Sequence, residues 1–246
     1  MGNKRRPHSH PRRWLTAVAC AIAGVASAAP VIAGSFKVNP VQITLPADAR
    51  AASLTITNSG SAPVSIRVQT LAWTQKDGLD VYSPATNVIV SPPIFTIPAG
   101  KTQLIRVGLK SRGGTSAYRV IFEEIPRDTP IVGQIQVTLN LNLPLYLLPP
   151  GGGKAELGWR AWADRSGAIV VEGRNRGTLH AQVIGLSAAQ GGRRQQLSRQ
   201  MGVVLPGATR LWNVGKHPVL SVGQPLELTV RSPTGETQSR LVLEQR

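Results

Sequence analysis

The chain has 246 residues, of which 41% are hydrophobic and 16% charged, so it can bury a substantial core in one or two domains. Frequent Val, Leu and Ile exclude a disordered chain. No run of eighteen apolar residues follows the first thirty-odd positions, which excludes a protein with several membrane-spanning helices. The formal net charge of +16 is typical of nucleic-acid binding and is judged below on the mature chain.

Residues 1–33 have the three-part pattern of a secretory signal peptide. Residues 1–13 contain five basic side chains and no acidic one, residues 14–25 are uncharged and mostly apolar, and small residues follow as far as Ala33. This order of segments is typical of a cleaved leader. A membrane anchor is the weaker interpretation, because Pro30 ends a short apolar run. Cleavage after Ala28 and cleavage after Ala33 both fit, and we expect an exported protein with no membrane span in its mature chain.

Removal of this leader changes what the chain can do chemically. Cys20 is the only cysteine, so the mature chain has no disulfide and no thiolate metal site. Of the 28 basic residues five leave with the leader, so the mature chain keeps 23 against 12 acidic ones, a net charge of +11. No aromatic platform accompanies these charges, and export removes the usual partner. We therefore expect no nucleic acid among the partners.

The mature chain is predicted to be all-β. Short alternating or β-branched runs are separated by clusters of Gly, Pro, Asn and Ser, which is typical of antiparallel sandwiches. Residues 148–154, LPPGGGK, interrupt this pattern and indicate a linker. The predicted layout is a leader at 1–33, a first domain at 34–147, a linker at 148–154 and a smaller β-sandwich domain at 155–246.

One predicted strand, residues 134–147, is unusually long. At roughly 3.4 Å per residue it spans about 45 Å, more than twice the usual length. Because side chains alternate between the two faces of a strand, one face is a row of aliphatics. The row consists of Ile135, Val137, Leu139, Leu141, Leu143, Leu145 and Leu147. We interpret 143–147 as core of the first domain and 135–141 as a face offered to a partner.

Four segments occur in a recognisable order: 91–107 (SPPIFTIPAGKTQLIRV), 118–126 (YRVIFEEIP), 134–147 and 175–186 (NRGTLHAQVIGL). Together they resemble the periplasmic chaperones of the usher pathway for pilus assembly. The second segment is similar to the family's F strand, which ends in E-(l/i)-P, and the third to its G strand, which ends in P-L-(Y/F). The Tyr118–Arg119 pair and this strand ending resemble the archaic or alternative branch.

The resemblance implies a fold and a function. The fold is two immunoglobulin-like β-sandwich domains in a boomerang arrangement after the signal peptide. The function is that of a periplasmic chaperone, which binds pilin or fimbrial subunits by donor-strand complementation and delivers them to an outer-membrane usher. The donor residues would be Ile135, Val137, Leu139 and Leu141, whose burial is worth roughly 6–12 kcal/mol before association costs.

The resemblance also implies how the terminal carboxylate of a subunit is held. The best-known branch uses an Arg on the first strand and a Lys late on the G strand, and the matching positions here are the uncharged Gln42 and Pro144. Arg119 is then the implied anchor, because a guanidinium can grip a carboxylate with two hydrogen bonds. Arg106 is the second candidate, for which a charge on the sheet surface is an equally good interpretation.

Other functions have less support in the sequence. It shows no catalytic arrangement such as G-x-S-x-G, and only His180 and His217 follow the leader, so we expect no enzyme, no metal and no cofactor. The alternative is a secreted β-sandwich adhesin or carbohydrate-binding module, in which the long strand would be internal core. Self-dimerisation of the unloaded chaperone is a further expectation, because exposed aliphatics favour association.

Overall fold

The computed structural model describes residues 2, 36–112, 115–126 and 138–246. Apart from residue 2, the expected leader at 1–33 lies outside the described residues, as do the expected donor residues Ile135 and Val137. Every regular element in these ranges is a β-strand. None of the described residues therefore belongs to a helix with the length and hydropathy that a membrane crossing requires.

Ten strands, from two sheets, form the first sandwich. They are β1 (Phe36–Asn39), β2 (Ile43–Leu45), β3 (Ala51–Asn58), β4 (Val64–Lys76), β5 (Leu79–Pro84), β6 (Val88–Ser91), β7 (Ile94–Ile97), β8 (Thr102–Leu109), β9 (Ala117–Glu124) and β10 (Asn140–Leu147). One sheet has the order β1-β3-β8-β6, and the other has the order β2-β10-β9-β4-β5, with β7 also paired to β4. All pairs are antiparallel except β2 with β10. The core lies between the two sheets and includes Ile105 of β8 and Phe122 of β9.

Nine strands form the second sandwich. They are β11 (Leu157–Ala163), β12 (Ile169–Asn175), β13 (Ala181–Val183), β14 (Gly185–Gln190), β15 (Arg193–Ser198), β16 (Gly202–Val204), β17 (Thr209–Gly215), β18 (Pro225–Ser232) and β19 (Gly235–Gln245). Seven of them follow the order β15-β14-β18-β19-β11-β12-β17, while β13 pairs with β16. Strand β19 pairs first with β18 and then, through its last residues, with β11. Residues from both halves of this path share one hydrophobic core.

Strand β10 shows why the alternating sequence folds as it does. Leu143 and Leu145 are 7% and 0% exposed, and they lie in the core of the first sandwich. Leu147 packs partly against the same core, which confirms the interpretation of 143–147 as core. The alternate residues Pro144 and Tyr146 point to the opposite face of the sheet. The register of β10 thus fixes which side chains face the outer surface beside the second sandwich.

Candidate functional site

Strand β10 has a free edge over part of its length. On one side it pairs with β9 from Asn140 to Tyr146. On the other side β2 covers only Leu145 to Leu147. Among the described strands none pairs with that side of β10 between Asn140 and Leu143. The backbone N–H and C=O groups of this stretch are therefore available to another strand.

Leu139 and Leu141, the two expected donor residues within the described ranges, lie at this free edge. Leu139 is tied to β9, because the backbone N–H of Glu124 donates to the Leu139 carbonyl at 2.9 Å and the Leu139 N–H donates to the Glu124 carboxylate at 3.0 Å. Both leucines are half-buried, and Leu141 packs against the core of the first sandwich. The hydrogen bonds to β9 therefore already include Leu139, the residue directly before β10.

Arg119 lies on β9, one strand in from this edge. In the sheet register it lies between Leu71 of β4 and Pro144 of β10. Its guanidinium carbon is 3.9 Å from the centroid of the Trp73 ring, a cation–π contact. Its Nε atom is buried and has no hydrogen-bond partner among the described residues. Pro144, which occupies the position of the family's lysine, is thus the direct cross-strand neighbour of Arg119.

Aromatic side chains form the surroundings of Arg119. The ring of Trp73, 1% exposed, lies 6.0 Å from that of Tyr146. Tyr146 in turn stacks on the imidazole of His180 at 3.5 Å and an interplanar angle of 8°. Burial raises the pKa of Tyr146 to about 12, so its hydroxyl is a neutral donor at ordinary pH. Burial lowers the pKa of His180, which favours the neutral imidazole. His180 belongs to the second sandwich, between β12 and β13.

The end of β4 and the turn that follows it contact the second sandwich beside these rings. The Gln75 amide donates to the Val203 carbonyl at 2.7 Å and accepts from the Leu205 N–H at 2.9 Å. The Leu211 N–H donates to the carbonyl of Gly78 at 3.1 Å. The contact is therefore made by backbone and amide hydrogen bonds as well as by charge.

Asp80 is the charged centre of this contact. Its Oδ1 accepts hydrogen bonds from the Trp73 indole N–H at 2.9 Å and from Gln75 at 2.8 Å. Its Oδ2 accepts from Arg210 at 2.7 Å, in an ion pair whose side chains are 16% and 21% exposed. Burial acts to raise the pKa of Asp80, but these hydrogen bonds and the charge of Arg210 outweigh it, so the pKa lies below its usual value.

Arg106, the second expected anchor, lies elsewhere. It is on β8 in the other sheet of the first sandwich, exposed, and in register with Ser53 and Ser91. The structure therefore does not bring Arg106 and Arg119 together. Gln42 is exposed and directly precedes β2.

The sequence analysis missed the residues that surround Arg119. The sequence motifs give no role to Trp73, Asp80 or Tyr146, and they suggest His180 only as a metal ligand. The alternation of Trp73 and Gln75 on one face of β4 is a signal that could have indicated a second packed surface. In the ranges 36–112, 115–126 and 138–246, no three His, Cys, Asp or Glu residues form a group able to hold a metal ion.

Comparison with known proteins adds a family to this geometry. Residues 35–152 match the family model of the pili and flagellar-assembly chaperones, PapD N-terminal domain. No curated protein matches the sequence.

Several solved structures share the two-sandwich fold. The chaperone–tip adhesion subunit complex CsuC–CsuE from the archaic Csu pili of Acinetobacter baumannii matches with a TM-score of 0.64 at 18% identity, covering 86% of this chain and 99% of the other. The Salmonella enterica SafA pilin–SafB chaperone complex matches with a TM-score of 0.58 at 17% identity, covering 85% and 96%. The Pseudomonas aeruginosa CupB2 chaperone matches with a TM-score of 0.54 at 15% identity, covering 84% and 100%.

The family match covers the whole of the first sandwich, including Arg119 and the free edge of β10, and the structural matches extend the similarity to the second sandwich. By its sequence match, the segment 35–152 belongs to the PapD N-terminal domain family of pilus-assembly chaperones, and by its fold the chain is similar to solved pilus chaperones over both sandwiches.

Proposed function

We propose that this protein captures pilin or fimbrial subunits in the periplasm by donor-strand complementation and passes them to an outer-membrane usher. The observation that carries the proposal is the free edge of β10 at Asn140–Leu143, where the half-buried Leu139 and Leu141 lie. A subunit that lacks its last strand has an apolar groove and unpaired backbone groups, and this edge offers what both need.

The chemistry of such a complex divides between backbone and side chains. Hydrogen bonds along the free edge pair with a strand of any sequence, so they supply affinity without selecting a client. Ile135, Val137, Leu139 and Leu141 then enter the groove, and each buried aliphatic contributes roughly 1.5–3 kcal/mol before the costs of association. An association of this kind needs no nucleotide and ends when a better-fitting strand displaces β10.

Arg119 is proposed to fix where the subunit sits along the strand. Its guanidinium carbon lies 3.9 Å from the centroid of the Trp73 ring, and the residue is directly across from Pro144 in the sheet. Its Nε is buried and has no hydrogen-bond partner in the described part of the chain. A terminal carboxylate at this place would accept charge-assisted hydrogen bonds from a group that is already oriented. Such a contact sets the register, because a shift by one residue would turn the aliphatic side chains of the donor strand away from the client's groove.

The test is copurification of this chain with a tagged pilin subunit from the same genome. Wild-type protein is expected to form a one-to-one complex, and Leu139→Asp is expected to abolish it while the protein stays folded. Leu104→Asp is the matched control, because Leu104 is 47% exposed on the other sheet. Ile135→Asp extends the test along the predicted strand. Equal recovery with wild type and Leu139→Asp would contradict donor-strand capture.

A further inference from the structure

Arg119 has no ion-pair partner among the described residues, and an aromatic ring fixes its place in the fold. The guanidinium lies 3.9 Å above Trp73, and Trp73 is 1% exposed. A cation on a ring face is attracted by the ring's electrons only while it stays over the face, so the orientation of the indole determines where Arg119 can lie.

The indole is in turn fixed by a hydrogen bond. Its N–H donates to Oδ1 of Asp80 at 2.9 Å, and the same oxygen accepts from Gln75. Asp80 therefore fixes the orientation of the Trp73 ring. A carboxylate holds such a donor more strongly than a neutral amide does.

Asp80 does not hold its own position alone. Its Oδ2 accepts from Arg210 of the second sandwich at 2.7 Å, and both side chains are mostly shielded from water. Partial burial makes this pair less sensitive to salt than a surface pair. Gln75, the second donor to Asp80, is itself hydrogen-bonded to Val203 and Leu205 of the second sandwich.

We propose that Asp80 is a positioning residue: held by Arg210, it orients the Trp73 ring on which Arg119 lies, so that the second sandwich sets the geometry of the anchor without touching the client. The inference rests on the proposed role of Arg119 as carboxylate anchor. It assigns the second sandwich a part in client recognition at a distance, through three consecutive contacts.

The first arm of the test uses the free protein. In ¹⁵N NMR the Nε–H of Arg119, identified by its loss in Arg119→Ala, is expected to be shifted by the ring current of Trp73. Asp80→Asn and Arg210→Gln should both move this resonance, although no hydrogen bond or ion pair within the described residues joins either of them to Arg119. Arg160→Gln is the matched control, since it removes an exposed pair with Glu244 at 3.0 Å in the second sandwich. An unchanged resonance in folded Asp80→Asn and Arg210→Gln protein would overturn the inference.

The second arm measures binding of a pilin subunit from the same genome, in its native form and with two glycines added after its last residue. We expect Asp80→Asn and Arg210→Gln to weaken binding of the native subunit by about tenfold, the size of a modest cation–π contact. Binding of the extended subunit should be equal for wild type and both variants, because its carboxylate is displaced. Weakening of both forms by the same factor would indicate a merely structural role and overturn the inference.

Failure of the proposed function has a different pattern. If Arg119→Ala binds the native subunit as tightly as wild type does, the anchor itself is wrong. If Arg119→Ala weakens native binding but Asp80→Asn and Arg210→Gln do not, only the positioning role is overturned. Trp73→Phe provides a further variant, because it keeps an aromatic face and removes the indole N–H. It should reproduce the effect of Asp80→Asn.

Discussion

Asn58 and Asn175 make three matching side-chain hydrogen bonds, one set in each sandwich. Both end a strand, both are 0% exposed, and each donates from Nδ2 to the carbonyl four residues later. Each also donates to a distant strand carbonyl at 3.0 Å, that of Ile97 or Val204. Each Oδ1 accepts from the N–H of a glycine two residues on. Each sandwich therefore uses an asparagine to close the loop that follows one of its strands, β3 in the first and β12 in the second.

Replacing either asparagine should destabilise its own sandwich. Asn58→Ala or Asn175→Ala leaves one buried and one half-buried carbonyl without this donor, and we expect a loss of roughly 2–4 kcal/mol in the free energy of unfolding. Denaturant unfolding followed by hydrogen exchange measures this loss. The exchange should rise mainly in the first sandwich for Asn58→Ala and mainly in the second for Asn175→Ala. A loss below 0.5 kcal/mol, on the scale of ordinary surface substitutions, would contradict this role.

Arg119 and Arg106 can be separated by alanine substitution. We expect Arg119→Ala to weaken or abolish subunit binding with little change in the thermal unfolding temperature, because the guanidinium makes no ion pair within the described residues. Arg106→Ala should leave subunit binding unchanged, since Arg106 is exposed on the opposite sheet. Pull-down of a pilin subunit with each variant measures this. The reverse result would make Arg106 the anchor.

Gly78 is required by both its backbone and its neighbour. Its φ of +81° is unfavourable for other residues, and an added Cβ would collide with the side chain of Leu211 in the second sandwich. We expect Gly78→Ala to lower the free energy of unfolding by roughly 1–3 kcal/mol. Gly100→Ala is the matched control, because Gly100 has a φ of +69° and open space around it. Equal losses in the two variants would mean that contact with Leu211 contributes nothing.

Tyr146 should give the protein a sensitivity to alkali. Burial raises its pKa from 10.0 in the unfolded chain to about 12 in the folded protein. Because the pKa of Tyr146 is higher in the folded protein, its contribution to the free energy of unfolding is complete below pH 10. This contribution is lost as the pH rises towards 12. Wild type should lose about 2–3 kcal/mol more stability than Tyr146→Phe across this window. Urea unfolding at a series of pH values measures the difference, and parallel curves would contradict the expectation.

The pattern of short alternating runs was sufficient to predict an all-β chain with two sandwiches, because strand alternation is a local property of sequence. The same alternation separated Leu143 and Leu145, which are core, from Pro144 and Tyr146 on the other face. The donor assignment of Ile135, Val137, Leu139 and Leu141 stays a prediction, and the first two lie outside the described residues.

The surroundings of Arg119 were beyond sequence reasoning for a physical reason. Three of the residues, Trp73, Arg119 and Tyr146, lie on separate strands of the first sandwich. His180 lies in a loop of the second sandwich, so only tertiary packing brings the four together. The ion pair of Asp80 with Arg210 has the same origin. Motif spacing identified Arg119 through family resemblance, but no local pattern predicted what orients it.

Strand β10 contributes Leu145 to the core of the first sandwich and has a free edge at Asn140. The buried leucines therefore determine which face each side chain of the exposed stretch points to. Inserting or deleting one residue between 139 and 143 would reverse these faces and change which side chains could reach a client. Under the proposed donor role, exchanging the aliphatic residues ahead of residue 140 for others of different size would change which client is selected. Changes in the spacing itself would abolish capture without unfolding the molecule.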